Sequence, residues 1–142
     1  MDSCIFCKIA NKEIGSEIIY ETGEVLAMLD IHPRAPGHTM VILKAHRKTI
    51  LDLAGAEVTS VFSGVQKVTE ILQQALAPDG FTIGINQGAA SGQVVEHLHI
   101  HIIPRFENDG GSSIHAVVDN QSGTSLEEVV ARIKNEDKIS KS

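Results

Sequence analysis

The sequence predicts an α+β fold: an antiparallel sheet of about five strands, one long amphipathic helix against it, and a second helix near the C-terminus. Three observations carry this. Val58, Val61, Phe62, Val65, Val68, Leu72 and Leu76 recur at steps suited to one side of a helix from Ala56 to Ala77. Short apolar runs punctuated by glycine and proline flank that helix on both sides, as strands do. Near the end, Ser125 and Glu128 stand at capping-box spacing ahead of Leu126, Val129, Val130 and Ile133.

Taken in order, residues 4–12 read as a short helical turn, with Ile5, Phe6 and Ile9 as its burial candidates and Gly15 at its exit. Ile18–Tyr20 and Val25–Leu29 read as a hairpin turning at Gly23. Asp30–Gly37, with two prolines and a glycine, is a loop, and His38 to Lys44 is the next strand. The long helix ends at Pro78, Asp79 and Gly80. Phe81–Asn86 is then a strand, and Gln87–Gln93 a glycine-rich turn leading into a histidine-bearing strand. A polar stretch, ENDGGSS, precedes the last helix. With no internal repeat and no long linker, residues 1–142 are expected to form one domain, its core over 4–105 and a C-terminal loop and helix over 106–142.

The charge balance, 12 basic against 18 acidic residues, argues against a surface that tracks nucleic acid, though a pocket for one nucleotide is compatible with it. No apolar run approaches the ~20 residues that span a bilayer, and MDSCIFCK lacks the plan of a signal peptide. The expectation is a soluble, cytoplasmic protein with neither nucleic acid nor membrane as partner.

Chemistry concentrates in EHLHIHIIPR, Glu96–Arg105. In an extended chain His97, His99 and His101 share one face, and Leu98, Ile100 and Ile102 the other. Same-face neighbours lie about 6.6–6.8 Å apart, so the three imidazoles cannot touch one atom but can flank an extended group such as a phosphate ester. Imidazole is a nucleophile and exchanges protons near neutral pH. A solvated polar face or a zinc site is the plainer alternative, but three histidines in strict alternation beside a glycine-rich turn favour a functional site. Cys4 and Cys7 form one CxxC, either a redox pair or half a metal site. The N-terminus offers no βαβ unit of thioredoxin type, and spacing alone does not choose two further ligands among seven histidines. His32 and His115 lie in polar loops and are assigned nothing.

HLHIHII resembles the His-φ-His-φ-His-φ-φ signature of the histidine triad family of nucleotide-binding proteins and nucleotidyl hydrolases or transferases. DIHPRAPGH and NQGAASGQ agree with that family in order and spacing, so the resemblance spans Cys4 to about Arg105. It implies that His99 attacks the α-phosphorus of a purine nucleotide and carries the nucleotidyl group, with His101 bonding phosphoryl oxygens or the leaving group. It implies that Asp30 accepts from the ribose hydroxyls and that Ile5, Phe6, Ile9 and Ile31 form the wall against the base. Asn86, Gly92, Gln93 and the amides of Val94 and Val95 correspond to the phosphate-binding turn, and His38 to a further pocket histidine. Bacterial members with this CxxC imply a structural zinc on Cys4, Cys7, His46 and His97.

Val94 stands where the phosphoramidase branch usually has serine, leaving only its backbone amide, and Asn86 where the diadenosine-polyphosphate branch usually has glutamine. The expected function is hydrolysis of purine nucleoside phosphoramidates or related nucleotidyl esters. The alternatives are a dinucleoside polyphosphate hydrolase and a nucleotide-binding or zinc-scaffold interaction protein with little turnover. The resemblance further implies a homodimer joined through the long helix and the strand that begins at Phe81.

Overall fold

Among the described residues, 3–136, the computed structural model has five strands in one antiparallel sheet: β1 (Ile18–Glu21), β2 (Val25–Leu29), β3 (Thr39–Leu43), β4 (Gly80–Gly84) and β5 (His99–Arg105). Their order is β1-β2-β3-β5-β4, so β1 and β4 are the edges. Helix α1 is Ile5–Ala10, α2 is Gly55–Leu76 and α3 is Leu126–Glu136. The α+β class and the predicted elements are all present. The chain divides between Gly111 and Ser112 into two compact units, the first holding the sheet with α1 and α2. In the second, the Ser125 hydroxyl accepts from the Glu128 amide at 3.2 Å and caps α3 as its spacing predicts. No helix among the described residues is long and apolar enough to cross a membrane.

Strand alternation divides the first unit's interior into two cores. On one face Val25, Ala27, Val41, Leu43, Ile100 and Ile102 meet Val61, Val65, Val68 and Leu72 of α2. Each such large side chain, removed from water, contributes about 1.5–3 kcal/mol. The predicted helical stripe narrows here, since Val58, Phe62 and Leu76 remain exposed. Gly64, mid-helix, lets α2 sit close: a Cβ there would lie 2.8 Å from Val25 Cγ1.

On the opposite face Leu26, Met28 and Ile42 pack against Phe6 and Ile9 of α1. The expected burial of Ile5 does not occur; it is 44% exposed, because the i, i+3 pair Phe6 and Ile9 is the side of α1 turned to the sheet. Nor does Gly15 end this helix. Lys12 takes the left-handed conformation at φ 66°, and Lys8 O accepts from the Glu13 amide at 2.8 Å.

Register places the histidines. Ile42 of β3 pairs with His99 and Met40 with His101, so both imidazoles share the α1 face, while Val41 pairs with Ile100 and Thr39 with Ile102. His97 falls outside the strand it was expected to open. The Leu98 amide bonds to Arg47 O at 2.7 Å, which takes the chain off the β3 ladder before His97. Strand β4 likewise ends at Gly84, two residues short of the expected Asn86.

Candidate functional site

Two clusters of chemically active side chains lie on the α1 face, with Phe6 against both. Its ring meets His97 edge-on at 5.8 Å between centroids and His99 at 5.0 Å. The residue expected to line a base pocket thus also spaces two of the three triad imidazoles.

The first cluster joins Cys4, Cys7, His46 and His97, which the sequence reading grouped as one set. Cys4 caps α1 and Cys7 follows one turn later, so the helix start presents both thiols to one point. Cys4 Sγ is 3.3 Å and Cys7 Sγ 3.5 Å from His97 Nδ1, and Cys7 Sγ is 3.2 Å from His46 Nδ1. Tetrahedral zinc with ordinary Zn–S and Zn–N bonds spaces such ligand atoms about 3.5 Å apart, so the donor set fits in kind and in spacing. His97 is fully buried, and its Nε2–H donates to Leu43 O at 2.8 Å, which leaves the Nδ1 lone pair facing the sulfurs. Burial first, then the nearby imidazoles, pushes His97 below the ordinary histidine range and keeps it neutral, as a ligand must be. Burial, followed by the neighbouring Cys4, pushes the Cys7 thiol up.

The second cluster is Asp30, His38, His99 and His101. His99 is 9% exposed, and its Nδ1 lies 2.8 Å from His97 O. A carbonyl only accepts, so Nδ1 carries the proton and the Nε2 lone pair is left available for attack. His101 sits beside it with ring centroids 5.0 Å apart. His38 is buried, with Nε2 2.9 Å from His101 Nδ1 and 3.5 Å from Asp30 Oδ2. Asp30 is itself oriented: Oδ1 accepts from the His32 amide at 2.9 Å. Burial, then the neighbouring His99 and His38, pushes His101 down to about 4, and burial lowers His38 as well.

The turn between β4 and β5 is built on Gly88 and Gly92, both with positive φ, at 85° and 100°. Gln93, expected to face the phosphate, uses its side-chain amide within the protein. Oε1 accepts from the Gly88 amide at 2.8 Å, and Nε2 donates to Lys48 O at 3.0 Å and Val95 O at 3.1 Å. Val95 packs at the edge of the α1-side core. Asn86, Gly92, Val94 and Ile31 are exposed, Val94 at 89% and Ile31 at 79%.

Sequence reasoning missed three main-chain partners, namely Leu43 O under His97, Arg34 N–H against His38 and Lys48 O under Gln93. Any residue type supplies such groups, so no side-chain pattern announces them.

Against known proteins, the sequence pattern of the HIT domain matches residues 11–108. An uncharacterized HIT-like protein of Methanocaldococcus jannaschii is 44% identical over 131 residues, 92% of this chain and 98% of that protein. An adenylylsulfatase of Arabidopsis thaliana is 38% identical over 76% of this chain and 55% of its own length. A bis(5'-nucleosyl)-tetraphosphatase (asymmetrical) of Schizosaccharomyces pombe is 35% identical over 68% and 53%. Among solved structures, a member of the HIT family from Bacillus subtilis superposes with TM-score 0.83 at 32% identity, covering 96% of each chain.

Proposed function

We propose, since this chain belongs to the HIT domain family, that it is a nucleotide hydrolase or nucleotidyl transferase whose nucleophile is His99. The single observation that carries the reading is the 2.8 Å contact of His99 Nδ1 with His97 O. That contact fixes the tautomer that leaves Nε2 nucleophilic. It also sets a carbonyl dipole against the positive charge the ring gains on attack.

In the first step His99 Nε2 bonds to the α-phosphorus in line with the bond to the leaving nitrogen or oxygen. That bond breaks, and the leaving group departs with its electron pair, a leaving amine taking its proton from solvent water. Water then attacks phosphorus and gives up a proton to solvent, the P–N bond breaks with its electron pair returning to His99 Nε2, and nucleoside monophosphate leaves as free His99 is regenerated. Asp30, oriented by the His32 amide, holds the ribose, and the turn around Gly92 brings main-chain amides of Val94 and Val95 toward the phosphate. Ile5, Phe6, Ile9 and Ile31 form the wall for a purine base. Gln93 acts from beneath by holding the turn closed, and Asn86 stands where that turn begins.

Purine nucleoside phosphoramidates or related nucleotidyl esters are the preferred substrates. A dinucleoside polyphosphate hydrolase is the second reading, favoured by the likeness to the tetraphosphatase. Zinc on Cys4, Cys7, His46 and His97 ties α1 to the chain ahead of β5 as a structural ion. A homodimer through α2 and β4 is supported by the exposed Val58, Phe62, Leu76 and Ile83 on an edge strand and its neighbouring helix, and sedimentation near the 15.3 kDa of one chain would reject it.

The test of the function is mass spectrometry of protein quenched during turnover of adenosine phosphoramidate and of diadenosine polyphosphate. A nucleotidyl adduct on His99, lost in His99→Asn while AMP still binds, is the expected result. An adduct on another residue, or full activity in His99→Asn, overturns the assignment.

A further inference from the structure

We infer that His38 is a positioning residue: it fixes the tautomer of His101, so that His101 acts as a neutral hydrogen-bond donor through Nε2 toward the phosphoryl group. The inference rests on the hydrolase reading for its function and on the resting protein for its geometry.

The argument starts in the loop. Pro33 and Pro36 have no amide hydrogen, and between them Arg34 points its amide at His38 Nδ1, 3.0 Å away. An N–H donor requires a lone pair on its partner, so Nδ1 of His38 is unprotonated and the ring proton sits on Nε2. That Nε2–H faces His101 Nδ1 at 2.9 Å, with Asp30 Oδ2 farther off at 3.5 Å. Two N–H groups cannot meet at 2.9 Å, so His101 Nδ1 must accept. The proton of a neutral His101 is therefore on Nε2, the ring nitrogen not engaged by His38.

Two consequences follow from the same chain of donors. Asp30, His38 and His101 have the spacing of a metal-binding group, yet His38 has one ring nitrogen accepting an amide and the other protonated, which leaves no lone pair for an ion. The group is thus a hydrogen-bonded relay, unlike the cluster at His97, where the Nδ1 lone pair faces two thiol sulfurs. Second, His101 stabilises charge on a phosphoryl oxygen by donation and does not deliver a proton outright, since giving up Nε2–H from a neutral ring would leave an imidazolate. The depression of His101 to about 4, caused first by burial and then by the neighbouring His99 and His38, agrees with a neutral ring.

The test is nitrogen NMR of histidine-labelled protein without nucleotide, with His101→Asn used for assignment. Wild type is expected to show His101 protonated at Nε2, and His38→Leu to show a shift toward Nδ1. His38→Gln, whose amide can still donate, is expected to restore the wild-type tautomer. In kinetics, His38→Leu should lower kcat by roughly 10–100-fold with KM changed less than about threefold, and His38→Gln should recover most of that loss. His101 protonated at Nδ1 in wild type, or an identical tautomer in His38→Leu, overturns the inference. If His38→Leu fails to fold, the wild-type tautomer alone decides. A tautomer shift in a protein that turns over no nucleotide rejects the hydrolase reading and upholds the positioning role. Turnover with an unshifted tautomer does the reverse.

Discussion

The main-chain oxygen of His97 lies 2.8 Å from Nδ1 of His99, while the ring of the same His97 faces Cys4 and Cys7. One residue therefore belongs to both centres, by its backbone to one and its side chain to the other. His97→Gln separates the two: the carbonyl stays, the ring nitrogens go. The variant is expected to lose metal and melt at lower temperature, while kcat falls at least tenfold less than in His99→Asn. Equal kcat losses in the two variants, with metal retained in His97→Gln, would refute this division.

Metal analysis of the purified protein should find about one zinc per chain, and Cys7→Ser should abolish it. Because a structural ion's binding energy is partly folding energy, chelator treatment should lower the denaturation midpoint of wild type and leave that of Cys7→Ser unchanged. A wild-type midpoint insensitive to chelator would reject a structural ion.

Stability should fall on acidification below the ordinary histidine range. His101 is held down at about 4, and His38 and His97 are lowered too, so as pH drops the unfolded chain takes up protons before the folded one. Unfolding is then favoured progressively from about pH 6.5, the ordinary histidine value, down to about 4, and the His101 contribution levels off below that. Urea midpoints at pH 7.5, 6 and 5 should decline in that order, with a shallower slope in His101→Gln. Equal midpoints would contradict the buried neutral imidazoles.

Gly64→Ala opposes two effects. Helix propensity favours alanine by about 1 kcal/mol. The new Cβ, however, would sit 2.8 Å from Val25 Cγ1 and 3.6 Å from Val41 Cγ1, both on buried β-branched residues with little freedom to turn. Overpacking of this kind costs about 1–3 kcal/mol, so a net loss of about 1 kcal/mol is expected in urea denaturation. A gain in stability would mean that α2 lifts off the sheet without penalty.

Much of this architecture was legible in the residues. The helical period of α2, the hairpin at Gly23 and the alternation in β5 are side-chain patterns, and such patterns report directly which face is buried. The set Cys4, Cys7, His46 and His97 came from motif resemblance, as did Asp30, His38 and His101 one by one, and the fold brings each of these groups together. What was not legible has a common physical origin in the backbone. Lys12 ends α1 in a conformation usually left to glycine, the Leu98 amide bonds to Arg47 O and shortens β5, and Arg34 sets a histidine tautomer through its amide. Gln93 is assigned to the phosphate-binding turn by resemblance alone, and no side-chain pattern foretells that its amide also bonds to Gly88 N–H and Lys48 O.

The pairing of Ile42 with His99 and of Met40 with His101 makes strand alignment a matter of chemical identity. A one-residue slip of β5 would turn both imidazoles under α2 and send Ile100 and Ile102 to the α1 face. The misaligned chain would lose about 3–6 kcal/mol of apolar burial from the two isoleucines, before any penalty for burying two unpartnered rings. Core and site therefore share one condition: the alignment that seals the larger core is the same alignment that sets His99 and His101 side by side on the α1 face, so a chain that completes its core has also assembled its histidine cluster.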